Sequence, residues 1–167
     1  MAPTAGLASW RRRALRDVRA SRRETLAFIK RLPPDAMLQP RTQDRWSVKD
    51  VLGHFMSCDE ETVVRLRHIA AGHPERITWF ESMAYADRFN ARTVASARRL
   101  SLPAVLKRMA RARADLVTRL QRLPPAAYRD PSHAYPMTEW LPAPGWSHER
   151  DHMAEVKAWW RHAGRGE

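Results

Sequence analysis

The chain of 167 residues is poor in the residues that build disulfide-rich, β-rich or membrane-spanning proteins. A single cysteine, Cys58, excludes an intramolecular disulfide and favours a reducing compartment. Six glycines are few for a fold with many tight turns, and no segment alternates polar and apolar residues over the length of a strand. No apolar run approaches the roughly 20 residues of a membrane-spanning helix, and no hydrophobic stretch follows the basic N-terminal segment. We therefore expect a helical cytoplasmic protein with no membrane span and no secretory signal.

Acidic residues are also scarce. The chain has 18 acidic and 30 basic residues, the latter mostly arginine, and its formal charge is therefore +12. Such an excess is compatible with nucleic-acid binding, since clustered cations neutralise phosphates. The arginines of the first helical segment nevertheless spread around the helix, and no known nucleic-acid-binding signature accompanies them. We interpret them as residues that cover solvent-facing helix surfaces, and nucleic acid is the less favoured partner. They are Arg11, Arg12, Arg13, Arg16, Arg19, Arg22 and Arg23.

Apolar residues recur at helical spacing in four segments, and a hydrophobic fraction of 44% is sufficient for a core. The segments cover about 8–32, 47–71, 85–123 and 147–162. Ser47 with Asp50 predicts a capped start of the second segment, Gly72 predicts its end, and Ser101 before Leu-Pro predicts a fresh helix start inside the third. The prediction is an all-α four-helix bundle, one domain over residues 1–167 with a core from about 8 to 162.

The predicted buried faces follow from the same spacing. They comprise Leu15, Val18, Leu26 and Ile29 in the first segment; Val48, Val51, Leu52, Phe55, Val63, Leu66 and Ile69 in the second; Leu102, Val105, Leu106, Met109, Leu116, Leu120 and Leu123 in the third; and Met153, Val156 and Trp160 in the fourth.

Three histidines form the most informative pattern. His148 and His152 lie four residues apart in W-S-H-E-R-D-H-M, so both occupy one face of the last helix. His54 lies beside the apolar stripe of the second helix, where a site between helices of a bundle forms. Three neutral imidazoles bind Zn²⁺, Ni²⁺ or Fe²⁺ and leave an open coordination position, which is typical of catalytic zinc. We predict a divalent metal site at this trio, with Zn²⁺ favoured; the alternative is that each histidine packs at a helix flank.

The remaining candidate ligands are less favourable. His68 and His162 lie about 21 and 15 Å along their helices from the nearest member of the trio, too far to share one ion. His133 falls in a loop from which it could reach the site. Cys58, four residues after His54, could be a fourth ligand, a redox-sensitive thiol or a small buried filler, and filler is the favoured interpretation.

Two groups of residues could assist such a metal. Glu149 and Asp151 are the acids nearest to the ligands in sequence, and either could act as a catalytic base or face solvent. Asp50 and Glu155 could orient imidazoles through hydrogen bonds, although capping explains Asp50 equally well. Four tryptophans could line a pocket or belong to the core: Trp46, Trp140, Trp146 and Trp159.

The pattern W-S-V-K-D-V-L-G-H, paired with H-E-R-D-H in the last helix, resembles the DinB-like (DinB/YfiT-type) metalloenzyme family. R-F-N-A-R-T-V and S-L-P-A-V-L in the third segment are similar to its members, and the resemblance covers about residues 10–162. It implies a four-helix bundle that holds a divalent metal through His54, His148 and His152. Relatives include bacillithiol- or mycothiol-dependent S-transferases and a maleylpyruvate isomerase, and homodimers are common. Prolines and a glycine in residues 142–145 depart from the continuous helix of relatives, which predicts that His148 lies in the first turn.

The leading functional hypothesis is a metal-dependent enzyme that acts on a small molecule. It would use either a low-molecular-weight thiol, as an S-transferase does, or a metal-activated water, as a hydrolase does. The first alternative is a non-enzymatic metal- or ligand-binding bundle that serves as a sensor or in self-protection. The second alternative is nucleic-acid binding through the basic surface.

Overall fold

The computed structural model describes residues 3–41, 46–124, 127 and 136–163, and every regular element in these ranges is a helix. The α-helices are α1 (Pro3–Ile29), α2 (Val48–Ala70), α3 (Met83–Arg98), α4 (Leu102–Arg122), the single-turn α5 (Met137–Trp140) and α6 (His148–Ala163), and short 3-10 helices cover Asp35–Met37 and Pro74–Arg76. Helices α1, α4, α2 and α6 contact one another in that cyclic order and form a bundle, while α3 packs against α2. This confirms the predicted all-α bundle. None of the described helices is long and apolar enough to cross a bilayer.

Both ends of α2 are determined by local sequence. The Ser47 hydroxyl accepts a hydrogen bond from the Asp50 amide at 3.1 Å, and the Asp50 carboxylate accepts one from the Ser47 amide at 3.0 Å. This reciprocal capping box satisfies two amides that have no partner within the helix. At the other end Gly72 has a φ of 73°, and the amide of His73 donates to the carbonyl of His68 at 2.9 Å. A residue without Cβ adopts this left-handed conformation without steric cost, so α2 ends there as predicted.

The third predicted segment is two helices in the structure. The hydroxyl of Ser101 accepts a hydrogen bond from the Ala104 amide at 3.3 Å and caps α4, with Pro103 in its first turn. The preceding helix, α3, has its own cap, because the Ser82 hydroxyl accepts from the Tyr85 amide at 3.2 Å. The new helix start predicted at Ser101 is therefore confirmed.

The predicted core of α2, α4 and α6 is largely confirmed. All seven predicted positions of α2 are buried, and those of α4 and α6 are buried or partly buried. Two apolar clusters result. The cluster around Leu52, Phe55, Met109 and Val156 lies at the His54 level of the bundle. The cluster around Val18, Leu66, Leu116 and Leu120 lies further along α2.

The buried face of α1 differs from the prediction. Val18 and Ile29 are buried as expected, but Leu26 is 41% exposed, and polar side chains continue the stripe instead. These buried polar residues are Ser21, Arg22 and Thr25. They lie three, four and seven residues after Val18, which are the positions that share its helix face. The interpretation of Arg22 as a solvent-facing residue is therefore wrong, because α1 turns a polar surface towards charged partners inside the bundle.

A close contact sets the distance between α2 and α3. A Cβ atom added at Gly53 would lie only 2.5 Å from the Cβ of Ala97. Ordinary contacts between carbon atoms are about 3.5–4.0 Å, so only glycine fits at this position. The contact immediately precedes His54 in the chain and thereby fixes the ligand-bearing part of α2 against α3.

A distorted helical segment, Ala143–Ser147, leads from α5 into α6. Its irregularity is confined to Gly145, which has a ψ of −120°. Because helical backbone continues from Ser147 into His148, α6 has no separate serine cap, unlike α2. Ser147 therefore has a different role from Ser47, although His148 does lie in the first turn of α6 as predicted.

Candidate metal centre

His54 lies on the side of α2 that faces α6, enclosed by aromatic side chains. The residue is 2% exposed. Its ring centroid lies 5.3 Å from that of Trp46 and 6.4 Å from that of Phe55. The capping box one turn earlier and the Gly53 contact hold this turn of α2 in place, so the imidazole is carried by rigid backbone.

His148 and His152 meet His54 from α6. Their rings are 4.4 Å apart between centroids, and the ring of His54 lies 4.9 Å from the first and 5.2 Å from the second. The Nε2 atoms of His54 and His148 are 2.7 Å apart. One ring nitrogen from each of the three residues lies within 4.8 Å of the others, so the structure brings together the trio predicted from the sequence.

The environment keeps all three imidazoles neutral. Burial, followed by the neighbouring imidazoles, lowers the pKa of His54 to about 3. Burial and His152 lower the pKa of His148 to about 4. Burial also lowers the pKa of His152, where the carboxylate of Glu155 acts in the opposite direction and Arg41 in the same direction. Neutral imidazole has the free lone pair that a metal ligand requires, so near pH 7 the cluster is in its ligating form.

The donor set fits a first-row divalent cation. Imidazole nitrogens bind zinc at about 2.0–2.1 Å, which places two nitrogens of a tetrahedral site about 3.3 Å apart. The observed separations bracket this value, because His54 and His148 are 2.7 Å apart and all three donors lie within 4.8 Å. Small side-chain rotations would therefore suffice. The three-histidine cluster is able to hold a metal ion.

Aromatic rings form one wall of the cluster. Trp46 stacks on His152 with a centroid distance of 6.2 Å and an interplanar angle of 25°, and Phe55 lies 5.9 Å from the same ring. Of the four tryptophans considered from the sequence, Trp46 is the one that contacts these histidines, whereas Trp140 packs against Trp79. Aromatic surface on this side excludes water, which strengthens electrostatic interactions at the histidines.

The two acids proposed to orient imidazoles have different positions. Asp50 belongs to the capping box and accepts two hydrogen bonds from Arg98, at 3.1 and 2.9 Å, so the capping interpretation is confirmed. Glu155 has a carboxylate oxygen 3.7 Å from Nδ1 of His152, across one turn of α6. That distance is beyond a hydrogen bond but within the range of a charge interaction that favours this ring orientation.

Cys58 lies one turn after His54, with its Sγ 3.7 Å from the Nε2 atom of that histidine. It is buried and not disulfide-bonded. Burial, together with the charge of Asp59, raises the pKa of the thiol to about 12. Among the described residues, the group of mutually close donor atoms contains the three histidines and not Cys58. The buried-filler interpretation therefore agrees with its position.

The two candidate bases lie in opposite environments. Asp151 is exposed on α6. Glu149 is 2% exposed, so the solvent-facing alternative is wrong for this residue. Its carboxylate accepts hydrogen bonds from Arg22 at 2.8 Å, from Thr25 at 2.8 Å and from Arg113 at 2.7 Å. Burial by itself raises the pKa of Glu149, but the charges of Arg22 and Arg113 outweigh it and hold the pKa below its usual value. We do not retain it as a base, because both oxygens already have donors.

The other histidines are separate from this centre. His162 is exposed at the end of α6 and bonds to the carbonyl of Ala158 at 2.7 Å, while His73 lies beside Glu75 at 3.1 Å. Among the described residues, neither these two nor His68 joins the cluster. His133 lies outside the described residues.

Sequence reasoning missed a buried polar network next to the histidines. It contains the guanidinium groups of Arg22 and Arg113 and the carboxylates of Asp59 and Glu149. The spacing after Val18 carried a signal for it, because an arginine and two hydroxyl residues continue an otherwise apolar helix face.

Comparison with known proteins agrees with this architecture. The family model of the DinB superfamily matches residues 17–156, which include all three histidines and all four helices of the bundle at least in part. No curated protein and no solved structure gives a significant match to the chain. A family match over most of the length, on an all-helical bundle that brings the expected histidines together, establishes the assignment: the chain belongs to the DinB superfamily.

Proposed function

We propose that this protein binds a divalent metal ion through His54, His148 and His152 and catalyses a metal-dependent reaction on a small molecule. The observation that carries the proposal is the convergence of three neutral ring nitrogens, within 4.8 Å of one another, between α2 and α6. Three protein ligands leave a coordination position open, as catalytic zinc sites do. Nitrogen donors favour Zn²⁺, with Ni²⁺ or Fe²⁺ as alternatives.

The metal would supply Lewis acidity, which lowers the pKa of a thiol or water at the open position. The chain itself would hold the ligands neutral by burial and shield them with Trp46 and Phe55. Trp46 and Phe55 cover His54 and His152, so a small molecule would approach past the partly exposed His148. Asp151, exposed between His148 and His152 in sequence, is the remaining candidate for accepting a proton.

The first experiment is the metal content of the purified protein by inductively coupled plasma mass spectrometry. We expect near one metal per chain in the wild type and a loss in His54→Ala and in His152→Ala. His162→Ala is the matched control, because this histidine lies on α6 away from the cluster and should leave the metal content unchanged. Absence of bound metal after incubation with Zn²⁺, Ni²⁺ or Fe²⁺ would refute the proposal.

The second experiment separates thiol transfer from hydrolysis. The metal-loaded protein is incubated with bacillithiol, mycothiol or glutathione and an electrophilic chromogenic substrate, and in parallel with ester and amide substrates without thiol. Turnover that requires the thiol and disappears in His54→Ala supports an S-transferase. Turnover without thiol supports metal-activated water. A cytoplasmic location and a homodimer remain predictions from the sequence and the family.

A closed, non-enzymatic metal site is the alternative that a specific contact favours. A histidine nitrogen and a cysteine sulfur on one tetrahedral zinc are about 3.6 Å apart, and Sγ of Cys58 lies 3.7 Å from Nε2 of His54. Replacement by Co²⁺ distinguishes the two sites, because thiolate coordination produces an intense near-ultraviolet charge-transfer band. We expect no such band and equal metal affinity in Cys58→Ser; a band that disappears in this variant would establish the closed site.

A further inference from the structure

Four charged side chains meet inside the bundle, one from each of its helices. Arg22 comes from α1, Asp59 from α2, Arg113 from α4 and Glu149 from α6, and each residue is at most 6% exposed. The two positive and two negative charges balance. We call these four residues the buried charge network.

Hydrogen bonds link all four members. Arg113 donates to both oxygens of Asp59, at 2.9 and 3.0 Å, and to Glu149 at 2.7 Å. Arg22 donates to Glu149 at 2.8 Å and to Asp59 at 3.1 Å. The remaining donors reach main-chain carbonyls: Arg113 bonds that of Val18, and Arg22 bonds that of Met109 at 3.3 Å. The network is therefore fully hydrogen-bonded, which is the condition under which buried charges are tolerated.

Hydroxyl groups of α1 complete the arrangement around Glu149. The Thr25 hydroxyl donates to one carboxylate oxygen at 2.8 Å, and the Ser21 hydroxyl donates to the other at 3.2 Å. These contacts fix the orientation of the Glu149 side chain relative to α1, as well as its distance from the two arginines.

The network is directly connected to both ligand-bearing helices. Glu149 follows His148 in the chain, and Asp59 lies five residues after His54. Arg22 and Arg113 each bridge these two carboxylates, so that two guanidinium groups tie α2 to α6 immediately beside the histidines. Direct packing between α2 and α6 is otherwise limited compared with that between α2 and α4.

Such a network constrains the relative positions of the helices more than it increases the stability of the fold. The desolvation cost of a buried ion pair can exceed the attraction between its charges, and an apolar cluster of the same volume is often as stable or more so. A displacement of α6 by one turn, however, would leave buried charges without partners, which is strongly unfavourable. Apolar contacts penalise a small sliding movement less, because they have no directional requirement.

We infer that the buried charge network positions His148 against His54, so that Glu149 and Asp59 with their arginines act as positioning residues of the metal centre. This inference rests on the proposed metal-binding function. It assigns the role of Glu149 to the geometry of the ligand next to it in the chain rather than to proton transfer.

The test compares metal binding with stability in variants that keep side-chain size. Glu149→Gln retains the shape but removes the charge that both arginines contact. The matched control is Glu60→Gln, which breaks an exposed ion pair between α2 and α4, with Arg108. Co²⁺ affinity is measured by competition with a chelator, coordination geometry by the visible absorption of bound Co²⁺, and stability by urea unfolding of the metal-free chains.

We expect Glu149→Gln to bind Co²⁺ about 10- to 100-fold more weakly, with a shifted visible spectrum, because outer partners of ligands have effects of this size. Glu60→Gln should leave affinity and spectrum unchanged. A second variant addresses loss of folding from unpaired arginines: Arg22→Met, Asp59→Leu, Arg113→Met and Glu149→Leu combined. This apolar variant should fold, since no unpaired charge remains, and still show weaker Co²⁺ binding and an altered spectrum.

The outcomes separate this inference from the proposed function. Wild-type Co²⁺ affinity and spectrum in a folded Glu149→Gln or in the apolar variant would overturn the positioning role and leave the metal site intact. A loss of stability with an unchanged Co²⁺ spectrum and affinity would also overturn it, because the network would then be merely structural. Failure of the wild-type chain itself to bind Co²⁺ would overturn the proposed function and this inference with it.

Discussion

The contact between Gly53 and Ala97 allows a prediction about the stability of Gly53→Ala. Both the sign and the size of the change in the free energy of unfolding depend on the packing of α2 against α3. In Gly53→Ala the new Cβ would lie 2.5 Å from the Cβ of Ala97, about 1 Å closer than an ordinary carbon–carbon contact. Neither atom can rotate away, because each is attached directly to a helix backbone. The helices would have to separate next to His54.

Two opposing effects set the magnitude. Replacing glycine by alanine inside a helix stabilises a protein by up to about 1 kcal/mol when nothing obstructs the methyl group. Overpacking of a tight core contact destabilises it by about 1–3 kcal/mol, and here the obstacle is rigid. A rigid obstacle places the cost in the upper part of that range, about 2–3 kcal/mol, so we expect Gly53→Ala to lower the free energy of unfolding by about 1–2 kcal/mol overall.

Urea unfolding followed by circular dichroism at 222 nm measures this difference. Gly6→Ala in α1 is the control, because an added Cβ there has no neighbouring atom within 4 Å and the variant should be as stable as the wild type or more so. The double variant Gly53→Ala/Ala97→Gly moves the methyl group to the other helix. It should be less destabilised than the sum of the two single changes by about 1 kcal/mol or more. Additive effects, or a Gly53→Ala chain as stable as the wild type, would refute the close approach.

Two further predictions concern the core and the helix cap. Leu66→Ala should lower the free energy of unfolding by about 2–5 kcal/mol, since the side chain is fully buried, whereas the exposed Val64→Ala should change it by less than about 0.5 kcal/mol; equal effects in urea unfolding would contradict the assigned burial. Burial alone raises the pKa of Asp50, but hydrogen bonds from Arg98 and Ser47 outweigh it and hold the pKa below 3.8. Ionised Asp50 therefore stabilises the fold above that pH, and the advantage of wild type over Asp50→Asn should disappear as the pH falls below it; a pH-independent difference would contradict this assignment.

The boundaries of the helices could be predicted because they depend on neighbouring residues. Ser47, Gly72 and Ser101 act within a few positions of themselves, through side-chain caps or a permitted left-handed conformation. The apolar face of α2 was equally predictable, because burial in a bundle follows the helical period. On α1 the helical period predicted that Leu26 is buried, but this residue is exposed, because polar residues of α1 occupy the buried positions.

The histidine trio was predictable for a different reason. The spacing of His148 and His152 requires only one helix, and the position of His54 beside an apolar stripe requires only that this stripe faces the core. The separations of a few ångströms among the three rings could not be obtained in this way, because they depend on the register between α2 and α6. That register comes from side chains of all four bundle helices.

The helical class, the ends of the main helices, the apolar faces of α2, α4 and α6 and the three histidines could all be predicted from the amino-acid sequence. These features depend on residues a few positions apart, where backbone geometry is fixed. The packing of the helices was needed to show that Arg22 and Arg113 lie inside the bundle, that Glu149 is a partner of arginines and that Asp50 pairs with Arg98. Buried charges need opposite charges or hydrogen bonds to offset their desolvation. The partners of Arg22, Arg113 and Glu149 come from segments that are distant in the chain and meet only when it has folded.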